Sequence, residues 1–273
     1  MQSTQFTVLS WHSINVNDNS YNGNDQIAFA ADLRTLHRCG AKIWPLAEAL
    51  SALDAGTLPV NVVVLTADDG AMLDFLPFDH PSCGPQPGLF RILREFADEV
   101  GPSAGHRPHL SCFAIASPDA RAELDRKDFL SLDVWHDRWW ADATASGLMA
   151  VESHSWDHNH PSLDRTCQRD NCKGDFRLID TEAECRAEVD QASDYIEQRA
   201  GRRPLFLAYP WGQASAYMID EYLPRFGATI GLRAALSCDP APVTAASNRW
   251  NLPRYMFNHD WKSGEQLEAI LRA

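Results

Sequence analysis

Residues 60–70, VNVVVLTADDG, constrain this chain more than any other stretch. Val60, Val62, Val63, Val64 and Leu65 form an apolar run rich in β-branched residues, the pattern of a strand buried on both faces. The run stops abruptly in Thr66, Ala67, Asp68, Asp69 and Gly70. Two adjacent carboxylates therefore stand at the carboxyl end of a core strand. That edge is where α/β folds place chemistry, because loops leave a rigid scaffold there. Asp-Asp-Gly is also an ordinary turn sequence, so the ends of the other strands must decide between a turn and a site.

Those ends carry polar clusters. Residues 6–10 read as a strand that delivers Trp11 and His12, and 110–116 (LSCFAIA) as a second core strand. Residues 148–152 form a third, followed at once by Ser153, His154, Ser155, Trp156, Asp157, His158, Asn159 and His160. Residues 205–208 lead into Tyr209, Pro210, Trp211 and Gly212, and further strands are expected at 228–232 and 251–257. Between them, apolar spacing predicts helices at 27–39, within 43–53, at 89–100, 129–146, 214–226 and 264–272, and at 181–200 behind a Thr181/Glu184 capping box. In the 129–146 segment Trp135, Trp139 and Trp140 are read as core. Strands and helices alternate from residue 1 to 273 with no linker, so a single α/β domain is expected. A barrel-like closure suits it better than an open sheet, because only closure brings so many strand ends together.

Composition narrows the function. A formal charge of −13 argues against broad basic surfaces for nucleic acid or anionic membranes. The amino terminus lacks the basic and apolar regions of a secretory signal, and no stretch approaches the ~18–20 apolar residues of a membrane span, so a cytoplasmic protein is expected. The seven cysteines do not form a disulfide framework. Cys167 and Cys172 are the exception, spaced for a loop disulfide or a zinc half-site.

His154 and His158 lie four residues apart, so on a helix or helical turn both imidazoles face one side. With Asp69 they would form a three-ligand site with open positions for water and substrate, the composition of a hydrolytic metal centre. His160 competes with His158 as ligand, or lies outside the first ring of ligands. Asp-His-His ligation suits one divalent ion, zinc before cobalt, nickel or iron. Trp11, Trp156 and Trp211 could stack on a sugar ring or shape a small pocket.

These motifs resemble those of the polysaccharide deacetylases, carbohydrate esterase family four, with its NodB homology domain. Thr66-Ala67-Asp68-Asp69-Gly70 resembles TFDDG, and His154-Ser155-Trp156-Asp157-His158 resembles H[ST]xxH. Residues 206–212, FLAYPWG, are similar to the F-x-YP-x-G motif of the branch acting on poly-N-acetylglucosamine, residues 9–14 to its YH motif, and Leu252-Pro253-Arg254 to its LPR motif. The resemblance implies a distorted (β/α) barrel of about seven parallel strands and metal-dependent removal of N-acetyl groups from an N-acetylated carbohydrate. By position it makes Asp68 the general base, His12 the general acid, and Asp69, His154 and His158 the metal ligands. It gives the Tyr209 backbone N–H to the oxyanion, and puts Pro210 beside Trp211 at the substrate. Ala67 stands where the family has Phe. The arginine that precedes the third motif is missing, with Arg254 a substitute that would orient Asp68. Long loops at 71–88, 101–109 and 159–180 would narrow the cleft. Two other functions fit the same residues: an amidase for a small non-sugar amide, and a silent binding module. The module would show loss of Asp68, a ligand or His12, and all are present.

Overall fold

A computed structural model describes residues 3–272. Its strands are β1 (Gln5–Trp11), β2 (Lys42–Ile43), β3 (Val62–Ala67), the hairpin β4 (Phe78–His80) and β5 (Gly84–Gln86), β6 (Leu110–Ala114), β7 (Met149–Ser153), β8 (Phe206–Ala208), β9 (Ala234–Leu236), β10 (Val243–Thr244) and β11 (Tyr255–Met256). The strands β1, β3, β6, β7, β8 and β9 lie side by side in that order, all parallel. Residues 252–256 close the ring. Leu252 exchanges hydrogen bonds with β9, its N–H to Ala235 at 2.8 Å and its carbonyl from Ser237 at 2.9 Å, while β11 runs parallel to β1. Seven parallel strands thus make a barrel distorted at its last, short member. In this sheet β10 pairs antiparallel with the first residues of β1, and β2 adds to the start of β3.

Strand periodicity splits the apolar residues into two layers. Val8, Val62, Val64, Phe113, Phe206, Ala208, Ala234 and Leu236 meet in the lumen, whose lower end is plugged by Leu46, Leu50 and Leu53 of the helix Leu46–Asp54. Residues of opposite parity, including Leu9, Val63, Leu65, Cys112 and Val151, face the helices Asp25–Arg38, Leu89–Val100 and Gln191–Ala200. Continuing the lumen parity upward from Val8 and Val64 gives Ser10, Thr66 and Asp68, all buried. The barrel is therefore apolar below and polar at its carboxyl end.

Two predicted elements are corrected. Residues 129–139 are not helical. Leu130, Ser131 and Asp133 take left-handed backbone angles, held by the Asp125 carboxylate, which accepts the N–H groups of Asp133 and Val134, and only Trp140–Ala145 forms a helix. Residues 228–232 are not a strand. The helix Leu223–Ile230 runs on to Gly231, whose φ of 101° ends it, and the strand follows at Ala234–Leu236. The predicted caps hold elsewhere: Thr181 Oγ1 accepts from the Glu184 N–H. No helix among the described residues is long and apolar enough to cross a membrane.

Candidate active site

The strand β3 ends by separating its two aspartates. Asp68 keeps the lumen parity, and its carboxylate meets Arg254 in a bidentate pair, Nη1 to Oδ1 at 2.7 Å and Nη2 to Oδ2 at 2.6 Å. Arg254 is fully buried, its Nε donates to the Ser237 carbonyl at 2.9 Å, and its guanidinium lies over the Phe113 ring. Asp69 turns away from the lumen because its φ is 74°. Gly70 must follow, since a Cβ there would sit 2.4 Å from that of Ala114. The adjacent carboxylates consequently face different partners.

Asp69 faces the histidines. His154 leaves β7 with its N–H on the Ala114 carbonyl, and its Nδ1 lies 2.8 Å from the Ala208 carbonyl, which can only accept, so Nδ1 carries the proton. Nε2 is left free toward Asp69, 3.7 Å away. His158 reaches the same point through a turn rather than the helix expected from the spacing: Ser155 and His158 have φ of 66° and 63°, and the His158 N–H closes the turn on Ser155 Oγ. One ligand atom from each of Asp69, His154 and His158 lies within 4.8 Å of the others. His158 Nδ1 is buried without a partner. Burial pushes both histidines down in pKa, His158 well below the ordinary value, so both imidazoles are neutral, as a metal requires. The donor set fits a divalent ion of the zinc class. His160 lies outside this set, its ring 5.5 Å from that of His158.

Asp69, His154, His158, Asp68 and His12 line one cleft of about 540 Å³, with Asn15, Trp135, His160, Trp211, Cys238 and Asn258 around them. His12 is half-buried, and its backbone N–H is fixed on Asp25 Oδ2 at 2.7 Å. Burial lowers the pKa of His12, but the charges of Asp69, Asp68 and Asp25 outweigh it and the net shift is upward. Burial raises that of Asp68, but Arg254 overrides it and holds the carboxyl at about 2. The cleft thus sets a charged carboxylate beside an imidazole whose charged form the neighbouring carboxylates favour.

Several expected contacts fail. Trp11 is fully buried, edge-on to Phe29 and Trp261, with its indole N–H on Asp32. Trp156 packs edge-on to Tyr195, Pro210 is buried, and neither lines the cleft. The Tyr209 N–H is spent on the Leu236 carbonyl at 3.0 Å, so it cannot serve an oxyanion. Cys167 and Cys172 are free thiols in different surroundings, one exposed and one buried, without a disulfide. Trp211 is 40% exposed and edge-on to His158 at 4.4 Å, and it alone of the three motif tryptophans faces the cleft. Trp135, read as core, is nearly buried yet also forms cleft wall. Asn15, Cys238 and Asn258 carried no sequence signal.

A family model for polysaccharide deacetylases matches residues 134–229. No match was found among curated protein sequences. Among solved structures, the chain is similar to the deacetylase PplD of Streptococcus pyogenes in complex with acetate, at 15% identity and a TM-score of 0.67, covering 99% of both chains. It is similar to IcaB from Ammonifex degensii at 19% identity and 0.65, covering 100% of this chain and 99% of that one. A de-N-acetylase from Aggregatibacter actinomycetemcomitans matches at 14% identity and 0.66, covering 97% and 99%. At these identities the structures establish the fold. Residues 134–229 thus match the polysaccharide deacetylase family that the motifs resemble, and the whole chain has the fold of the deacetylases to which it is similar.

Proposed function

We propose that this chain is a metal-dependent hydrolase that removes N-acetyl groups from an N-acetylated sugar, oligomer or polymer, releasing acetate and a free amine. The observation that carries the reading is the meeting, in one cleft, of the Asp69-His154-His158 cluster, the Arg254-bound Asp68 and His12. Asp69, His154 and His158 would hold one divalent ion, zinc first and cobalt, nickel or iron by the same donor chemistry. When bound, such an ion supplies Lewis-acid polarisation of the amide carbonyl and acidifies a water.

The residues divide the proton transfers. Asp68, kept ionised and aimed by Arg254, takes the proton of the attacking water as its oxygen bonds to the acetyl carbon. His12, whose protonated form the surrounding carboxylates favour, gives a proton to the amide nitrogen as the C–N bond breaks. Negative charge on the carbonyl oxygen needs an N–H donor, and Tyr209 has none to give. Trp211 does: held left-handed at φ 53°, it donates its N–H to no protein acceptor among the described residues. We assign it the oxyanion role, worth ~10²–10³ in turnover at such a donor. Its exposed ring supplies the face on which a pyranose can stack.

The test is acetate release from N-acetylated monosaccharides, nucleotide sugars, chitin oligomers and β-1,6-linked oligomers, with zinc, cobalt or nickel added and Asp68→Asn as control. Release that requires both metal and Asp68 supports the proposal. Metal uptake with no release from any sugar, but release from small amides, would replace it with an amidase.

A further inference from the structure

The turn that presents His158 is strained and borrows its shape from elsewhere. Ser155 and His158 both sit in the left-handed region, which non-glycine residues keep only where their surroundings over-determine it. On one side the turn is held by β6 and its extension: the Ala116 N–H donates to the Ser155 carbonyl at 3.1 Å, and the Ser117 N–H to that of Trp156 at 2.6 Å. On the other side stands Glu188, fully buried on the π-helical turn Arg186–Asp190 that joins two helices of the outer layer. Glu188 Oε2 accepts the N–H of Trp156 at 3.1 Å, midway between the two strained residues. Its Oε1 accepts from Cys167 Sγ at 3.2 Å and Gln168 Nε2 at 3.3 Å, tying down the loop that follows. Glu188 lies within this wide turn, and such turns recur where a helix is adapted to a site.

We infer that Glu188 is the positioning residue that holds the turn 155–158 in the shape bringing His158 beside His154 and Asp69. It lies outside the cleft lining and outside the set Asp69, His154 and His158. It acts through the Trp156 N–H, fixing the chain between two left-handed residues so that the His158 imidazole stays on the ligand set. The inference rests on the reading of Asp69, His154 and His158 as a metal site. Residues that orient ligands in this way typically alter metal affinity ~10–100-fold when changed.

The experiment is calorimetric titration of the metal-stripped full chain with zinc and with cobalt, for wild type, Glu188→Ala, Glu188→Gln and Glu152→Ala. Glu152 is the control for loss of a buried carboxylate: a second fully buried glutamate, on β7 two residues before His154, that binds the Leu205 and Phe206 N–H groups at the start of β8 instead of the turn 155–158. Glu188→Ala is expected to weaken metal binding ~10–100-fold. Glu188→Gln, which keeps a carbonyl for the Trp156 N–H, should bind nearly as wild type does, and Glu152→Ala likewise despite lower thermal stability. Should Glu188→Ala not fold, Glu188→Asp, one methylene too short to reach Trp156, takes its place with the same expectation. An unchanged dissociation constant in the Ala or Asp variant, or equal weakening in Glu152→Ala, would overturn the inference alone. A wild-type chain that takes up no metal would overturn the reading of the site, and this inference with it.

Discussion

Removing Arg254 while leaving Asp68 in place should be far more damaging than removing both. Arg254 and Asp68 are at most a few per cent exposed and share two charge-assisted hydrogen bonds of 2.6 and 2.7 Å. Arg254→Met keeps most of the volume but strands a carboxylate in the barrel, and breaking one side of a buried pair costs about 3–5 kcal/mol. For a chain of this length that corresponds to a fall in Tm of roughly 6–20 °C. Arg254→Met with Asp68→Leu removes both charges. It should recover most of that loss, since apolar replacement of a buried pair is often neutral, leaving mainly the Ser237 carbonyl without its donor.

The pH dependence gives this prediction its sign. In the wild type the Asp68 carboxyl is held at about 2, below its unfolded value of ~3.9. Its contribution is thus present above the unfolded value and lost as pH falls through about 2. In Arg254→Met burial, the largest influence on the carboxyl, is opposed only by His154 and His12, so its pKa rises from the wild-type value and the variant loses less stability than wild type as pH falls and Asp68 takes up a proton. The gap from wild type should therefore shrink between pH 7 and pH 4.5. Thermal melts of metal-free protein followed by circular dichroism measure all of this. Equal destabilisation in the single and double variants, or a gap that widens toward pH 4.5, would refute the assignment of a coupled buried pair.

Other substitutions separate the roles within the cleft. His12→Gln should slow acetate release ~10²–10⁴-fold, the usual worth of a positioned acid, while zinc uptake by the stripped protein stays as in wild type; loss of uptake would put His12 among the ligands. His154→Ala should abolish uptake and His160→Ala should not, and the reverse pattern in calorimetry would reassign the ligand set. Glu152, raised by burial to about 7 despite Arg202, is favoured below its unfolded value and penalised as pH rises through about 7. Glu152→Gln should therefore raise the Tm at pH 8.5, by up to ~3 kcal/mol of stability, and change it little at pH 4.5; no difference between the two would show that Glu152 ionises freely.

What was legible in the sequence was set by local chemistry. The apolar run ending in Asp68 and Asp69, the strand that presents His154, and the capped helix from Thr181 all follow from patterns a few residues long. What was not legible depended on contacts between distant residues. Trp11 sits inside a motif beside His12, yet Asp32 and Trp261 draw it into the core, and the indole N–H groups of both tryptophans share one carboxylate. Tyr209 lies in the third motif, but its N–H meets a β9 carbonyl, a pairing fixed only once β8 and β9 are adjacent. The helix over 129–139 failed because Asp125 satisfies backbone N–H groups there and leaves left-handed angles cheaper than a helical turn. Gly231 did carry a usable signal: as a helix-ending glycine it marked 228–230 as helix, against the β-leaning look of Thr229 and Ile230.

The pairing of Asp68 with Arg254 also explains why the two halves of the cleft must come together. A carboxylate held at about 2 is a weak base, far from the neutral value at which proton abstraction is most effective. Arg254 buys a fixed orientation and full ionisation at that cost. As the proposed base, Asp68 can then take a proton only from a water made much more acidic than bulk water. Asp69, His154 and His158, whose neutral imidazoles and carboxylate face one point beside Asp68, are the groups placed to provide for that. The proposed acid is poised the other way, since the same carboxylates favour the protonated form of His12. Neutralising Asp69 should therefore do more than empty the ligand set. It also removes the largest of the charges that raise the pKa of His12, so the alkaline limb of kcat/KM in any Asp69→Asn variant with residual activity should move to lower pH. A limb that stays in place would mean that a group other than His12 delivers the proton.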